Sequence, residues 1–148
     1  EDLALLARAD DGPAMPGLPL AEDVPAAGDE VLVMGYPTGL RSLLAQSGAA
    51  FIAALQESGD MGFWSVAARL AEAGYIAPLA SRGIVGQATV STIVYDADTT
   101  HGGSGGPVLN LEGAVVAVNA AVLPEYGGSN IGIPAAKLRT LLEEAGLR

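Results

Sequence analysis

The chain has 148 residues, 50% of them hydrophobic, which is enough for one domain with a buried core and too few for two closed β-barrels. With 17 acidic against 7 basic residues, a net charge of -10 argues against a phosphate-binding surface and so against nucleic acid as a partner. No apolar run approaches the roughly 18–20 residues of a membrane-spanning helix, and the lack of cysteine excludes a disulfide framework, a thiolate zinc site and a cysteine nucleophile.

Taken in order, residues 2–8, DLALLAR, read as an apolar strand that ends at the turn Asp10-Asp11-Gly12-Pro13. Between Asp10 and Asp29, four prolines and three glycines interrupt any regular element, so this stretch is expected to be an extended connection. Residues 30–36, EVLVMGY, form a strand closed by the turn Tyr36-Pro37-Thr38-Gly39. The period then changes. Leu43, Leu44, Phe51 and Leu55 fall at helical spacing within Ser42 to Glu57, and Trp64, Ala67, Ala68 and Ala71 repeat it within Phe63 to Ala73. Ser58-Gly59-Asp60 between them is a break and a cap for the second helix, so a helical hairpin is expected, with Phe63 and Trp64 on its buried face.

Strands resume at Gly83 to Val90 and Ser91 to Tyr95. A hairpin follows, Gly106 to Leu111 and Gly113 to Ala120, turning at Leu111-Glu112-Gly113; Asn130 to Ile133 is a last short strand. Pro134 then opens a helix to Ala145, with Gly146 past its end. There are no internal repeats. Short strands alternating with glycine-rich turns imply a mainly β fold, an antiparallel barrel carrying a helical-hairpin insertion and a C-terminal helix.

One segment carries chemistry. In Gly102-Gly103-Ser104-Gly105-Gly106-Pro107 a serine is embedded in glycines. A serine hydroxyl is a poor nucleophile at neutral pH and needs a base to take its proton and donors to hold an oxyanion. Glycines adopt the conformations that let backbone N–H groups converge on one point and a substrate backbone approach closely. Composition alone makes a flexible Gly-Ser loop the commoner explanation.

The order of landmarks decides between them. GGSGGP followed by Val108-Leu109-Asn110-Leu111-Glu112-Gly113 and Val115-Val116-Ala117-Val118-Asn119 resembles the nucleophile region of trypsin-like serine proteases, in particular the disulfide-free bacterial HtrA type. Asp2-Leu3-Ala4-Leu5-Leu6 resembles the family's Asp-bearing strand, and Val33-Met34-Gly35-Tyr36-Pro37-Thr38-Gly39 the first strand and turn of its second barrel. Ser81-Arg82-Gly83-Ile84-Val85 resembles the next strand, and Gly127-Gly128-Ser129-Asn130-Ile131-Gly132-Ile133-Pro134 with its helix resembles the carboxyl end. The likeness covers all but about residues 41–79.

The resemblance implies roles. Ser104 is the nucleophile, Asp2 the carboxylate that fixes the tautomer of a histidine base, and the N–H groups of Gly102 and Ser104 are the oxyanion donors. Asn119, Ala120 and Ala121 match the strand segment that pairs with substrate backbone, although an ordinary strand end is equally open. Asp98 stands six residues before Ser104, where basic-specific trypsins keep the carboxylate of their specificity pocket; in Tyr95-Asp96-Ala97-Asp98-Thr99-Thr100 a turn-forming role is the plainer one. Asp96 matches a loop-ordering acceptor of the HtrA type. His101 could line the pocket, or be a satisfied polar loop residue. Gly103 replaces the aspartate that pairs with a freed N-terminus in animal trypsins, so that activation switch is not expected.

The departure is the base. His101 is the one histidine, and only three residues from Ser104 it cannot serve. In the family the histidine comes from the first barrel, upstream of the Asp-bearing strand. The expectation is therefore the carboxyl-terminal part of a longer protease: residues 1–12 the last strand of a first barrel, 13–29 an inter-barrel linker, and 30–148 the second barrel with its insertion at about 41–79. The implied function is a serine endopeptidase working through an acyl-enzyme with no metal or organic cofactor, nearly inert as this fragment alone. Its implied partners are a peptide substrate and the histidine-bearing barrel, with periplasmic or secreted placement. The alternative, motivated by the missing histidine, is a non-catalytic peptide-binding or scaffold module. The insertion is open to roles as a lid, a regulatory contact, a homo-oligomer interface or an ornament packed on the barrel.

Overall fold

The computed structural model describes all residues but 1, 10, 11, 14, 37, 38, 100, 124–128 and 148. Its elements run β1 (Glu30–Gly35), α1 (Leu40–Gln46), α2 (Gly48–Ser58), α3 (Phe63–Glu72), β2 (Leu79–Ala88), β3 (Ile93–Tyr95), β4 (Pro107–Leu109), β5 (Val115–Leu123), β6 (Ser129–Pro134) and α4 (Ala135–Glu144). The strands close into an antiparallel barrel in the order β1-β2-β3-β6-β5-β4, with β4 returning to β1. This is the mainly β barrel with helical additions that the sequence predicts.

Alternation writes the core. Val31 and Val33 on β1 and Ile93 and Tyr95 on β3 turn inward at a spacing of two, and Val85, Val108, Val116 and Ala117 meet them. The connection before β1 is stitched to the barrel rather than free of it. Val115 N–H donates to Pro19 O at 2.8 Å, Ala21 N–H to Val115 O at 2.9 Å, and Arg139 of α4 reaches Ala21 O at 2.8 Å. Helix α4 packs on β5 and β6 and ends with Leu147 N–H on Leu142 O and Gly146 N–H on Glu143 O.

The apolar segment 2–8 takes no regular secondary structure and is mostly exposed. A strand needs a neighbour for its N–H and C=O groups, and the barrel closes without this one. The turns expected at Asp10-Asp11 and Pro37-Thr38 and the residues Gly127-Gly128 lie outside the described residues.

The insertion is three helices, not two. The chain breaks at Ser47-Gly48, where Gly48 has φ 81° and Ser47 Oγ donates to Leu44 O at 2.9 Å. Leu43, Leu55, Val66 and Leu70 form a core of their own, with Phe51 and Tyr75 in edge-to-face contact at 5.2 Å. Arg69 of α3 ties α2 down by donating to Ser58 Oγ and Ala54 O, a cation at a helix carboxyl end. At the start of α3, Asp60 accepts from Gly62 N–H at 3.0 Å. Hydrogen bonds from Ser65 and from the Gly62 backbone hold its carboxyl below its ordinary range. The expectation for Phe63 and Trp64 is overturned: they are 59% and 82% exposed, because Val66 and Leu70, one turn on, supply the inward stripe.

Candidate active site

The loop that carries Ser104 runs between β3 and β4 and is held by its own glycines. Gly102 and Gly105 have φ of 95° and 84°, a region that residues with a Cβ rarely enter. Gly105 N–H donates to Asn119 O at 2.7 Å, Asn119 N–H to Gly106 O at 2.9 Å, and Gly106 N–H to Gly103 O at 3.1 Å. From the other side the loop is pressed on β1. A Cβ on Gly106 would lie 2.1 Å from Met34 O, and one on Gly35 would lie 3.4 Å from the Cα of Gly103, which is buried. The loop is thus wedged between β1 and β5, and its rigidity comes from backbone contacts.

Ser104 itself is exposed, and its Oγ donates to Ala120 O on β5 at 3.1 Å. It lines a cavity of about 370 Å³ with His101, Asn119, Ala120 and Ala121, together with Thr99 and Val122. Five of the residues singled out in the sequence are therefore brought together in one place. Asn119 is buried, and its Oδ1 accepts the Tyr95 hydroxyl at 2.6 Å, so besides lining the cavity it fixes the strand behind it. Burial raises the Tyr95 phenol well above its ordinary pKa, keeping it a donor.

The remaining candidates stand apart. Asp2 is exposed and is not among the cavity's lining residues. Asp98 is exposed too and contributes no lining; its carbonyl accepts Ser81 Oγ at 2.6 Å, which ties the loop to β2. Asp96 Oδ1 accepts Ile84 N–H at 2.6 Å, the ordering role read for it from the sequence. Among the described residues no cluster of His, Cys, Asp and Glu could hold a metal ion. No helix is long and apolar enough to cross a membrane, again among the described residues.

Thr99 and Val122 were not legible as lining of this cavity, nor Tyr95 as the partner of Asn119. Strand alternation marks Tyr95 as core but is silent on its partner. Asn130 is buried, and its Nδ2 donates to Ala97 O.

The same architecture recurs in solved structures. The chain superposes on a serine endoprotease from Yersinia pestis with a TM-score of 0.58 and 19% identity, covering 88% of this chain and 35% of that one. It superposes on the Rv3671c protease from M. tuberculosis in its active form with a TM-score of 0.59 and 17% identity, covering 90% and 50%. For an inactive serine-to-alanine form of Rv3671c the values are 0.58 and 18%, covering 89% and 54%. The chain spans between a third and just over half of these proteins, and at such identities the likeness is one of fold. The trypsin-like peptidase domain matches residues 1–118, most of the sequence, and the chain belongs to the trypsin-like peptidase family.

Proposed function

We propose that this chain supplies the nucleophile and half of the substrate cleft of a serine endopeptidase. Ser104 Oγ attacks the scissile carbonyl carbon while a histidine outside this chain takes its proton. The N–H groups of Gly102 and Ser104 hold the resulting oxyanion, and Asp2 orients the imidazole and stabilises its cation. The C–N bond then breaks, the proton passes to the leaving amine, and water hydrolyses the acyl-serine by the reverse sequence of proton transfers. Gly105 and Gly106 N–H are already committed to Asn119 and Gly103, which supports drawing the oxyanion donors from the Gly102 to Ser104 part of the loop. Residues Asn119 to Ala121 on β5 take the substrate backbone. In keeping with this, β4 pairs with β5 through Val118, the Ser104 loop continues that edge at Asn119, and from Ala121 to Leu123 β5 pairs with β6.

The observation that carries the reading is Ser104 at the rim of a cavity on a loop locked from both sides, its hydroxyl within hydrogen-bond reach of the β5 carbonyl at Ala120. In this proposal residues 1–12 take their strand partners, and residues 13–29 their path, from a first barrel that also brings the histidine. The chain alone has no base for Ser104 and retains only oxyanion stabilisation and binding.

Fluorophosphonate labelling tests this. The full-length protein should label at Ser104 and lose both labelling and peptide hydrolysis in Ser104→Ala, while the 148-residue chain alone should not label. Hydrolysis that survives Ser104→Ala would sink the assignment. A full-length protein that binds peptides but neither labels nor cleaves would favour the non-catalytic peptide-binding module.

A further inference from the structure

We infer that Asn130 sets the side-chain preference of the substrate cavity, its amide oxygen being the acceptor for a neutral hydrogen-bond donor, a hydroxyl or an amide, on the substrate residue that enters. This rests on the protease reading above. Among the described residues, Asn130 Oδ1 is the buried side-chain polar atom without a hydrogen-bond partner. The residue is 0% exposed, and its Nδ2 donates to Ala97 O at 2.5 Å. That bond fixes the amide: exchanging its two ends would set oxygen against oxygen, so the orphan is an acceptor. A buried acceptor with no donor has forfeited its hydration for nothing, and such groups in native proteins call for an explanation.

Its place points to the cavity. In the ladder Asn130 stands opposite Val122 of β5 on one side and opposite Tyr95 of β3 on the other, and residues so paired share a face of the sheet. Val122 lines the cavity, and Tyr95 bonds Asn119, which lines it as well. Ala97, the partner of the amide nitrogen, is two residues from Thr99, a third lining residue. The orphan oxygen therefore lies one layer behind the cavity wall. A substrate donor reaches it through one bridging water.

The chemistry of the wall narrows the donor. Among the described residues the lining includes no carboxylate, and Asp98 stays outside, so an ammonium or guanidinium group would meet no counter-charge from them. A threonine or glutamine side chain brings a donor without that penalty.

The test compares peptides that differ only in the residue before the scissile bond, Thr against Val and Gln against Leu, as kcat/KM in the full-length protein. The donor-bearing member should be favoured about tenfold, as one hydrogen bond allows. In Asn130→Leu and in Asn130→Gly the preference should collapse to about parity, since both remove the acceptor. Each preference is a ratio within one variant, so a general loss of stability leaves it unmoved. A wild-type ratio at or below parity, or a ratio the substitutions leave unchanged, overturns the inference, and if neither variant folds the wild-type ratio decides. Hydrolysis that is absent, or that survives Ser104→Ala, overturns the protease reading and this inference with it. Hydrolysis that needs Ser104 yet ignores the donor overturns the role of Asn130 alone.

Discussion

The Tyr95 hydroxyl donates to Asn119 Oδ1 at 2.6 Å, and the backbone of the same asparagine both accepts from Gly105 and donates to Gly106. One buried phenol thus anchors the strand that anchors the Ser104 loop. Tyr95→Phe keeps the ring and strands the amide oxygen, at a cost of about 1–3 kcal/mol. Thermal unfolding should show the loss, and fluorophosphonate labelling of the full-length protein should slow with it. The phenol also predicts alkaline sensitivity. Its folded pKa is raised, so its contribution is complete below the unfolded value of about 10 and is lost as pH climbs above it. In Tyr95→Phe the stability profile above that pH should flatten.

Gly106 is required for space. A Cβ there meets the Met34 carbonyl oxygen at 2.1 Å and the Gly103 carbonyl oxygen at 3.0 Å, and neither is the end of a flexible side chain. Gly106→Ala must push the loop off β1, costing about 1–3 kcal/mol or more by overpacking. At Gly105, with φ 84° and nothing within 4 Å, alanine meets only the positive-φ penalty of about 1–2 kcal/mol. Both should lower the melting temperature. The displacement of Ser104 separates them: labelling should fall far more in Gly106→Ala than in Gly105→Ala.

This contrast marks what the sequence could show. Strand alternation in Val31-Leu32-Val33 and Ile93-Val94-Tyr95, with glycine punctuation, carried the barrel, and GGSGGP carried the position of Ser104. What stayed hidden depends on which surfaces meet. The spacing of Phe63, Trp64, Val66 and Leu70 fixes a helix but not which of its sides faces α1 and α2. The pairing of Asn130 with both Val122 and Tyr95 follows from barrel closure, which brings together residues far apart in the chain. Segment 2–8 reads as a strand because it is apolar, and apolarity is a demand for partners, not a supply of them.

The insertion holds a core separate from the barrel's, and Leu70, at 0% exposure, is at its centre. With Leu43, Leu55 and Val66 as its buried companions among the described residues, Leu70→Ala should cost about 2–5 kcal/mol, most of which such a small cluster cannot spare. Local opening is the expected consequence. Hydrogen exchange should accelerate across α1 to α3 while β1, β5 and β6 keep their protection. Equal loss of protection in the barrel strands would show that the two cores unfold as one.

Trp64 is the one tryptophan of the chain, and its fluorescence therefore reports on the insertion without interference. The indole is 82% exposed and meets Phe63 edge-on at 5.0 Å. Emission should be that of a hydrated indole, readily quenched by acrylamide, before any unfolding. Trp64→Ala forfeits only this exposed ring contact, so stability should fall by no more than about 1 kcal/mol. Phe63→Ala should behave the same way, and Val66→Ala, removing a side chain that is 2% exposed, should cost several times more. A blue-shifted, quencher-protected emission, or a Trp64→Ala penalty matching that of Val66→Ala, would instead put the aromatic pair on the insertion's buried side.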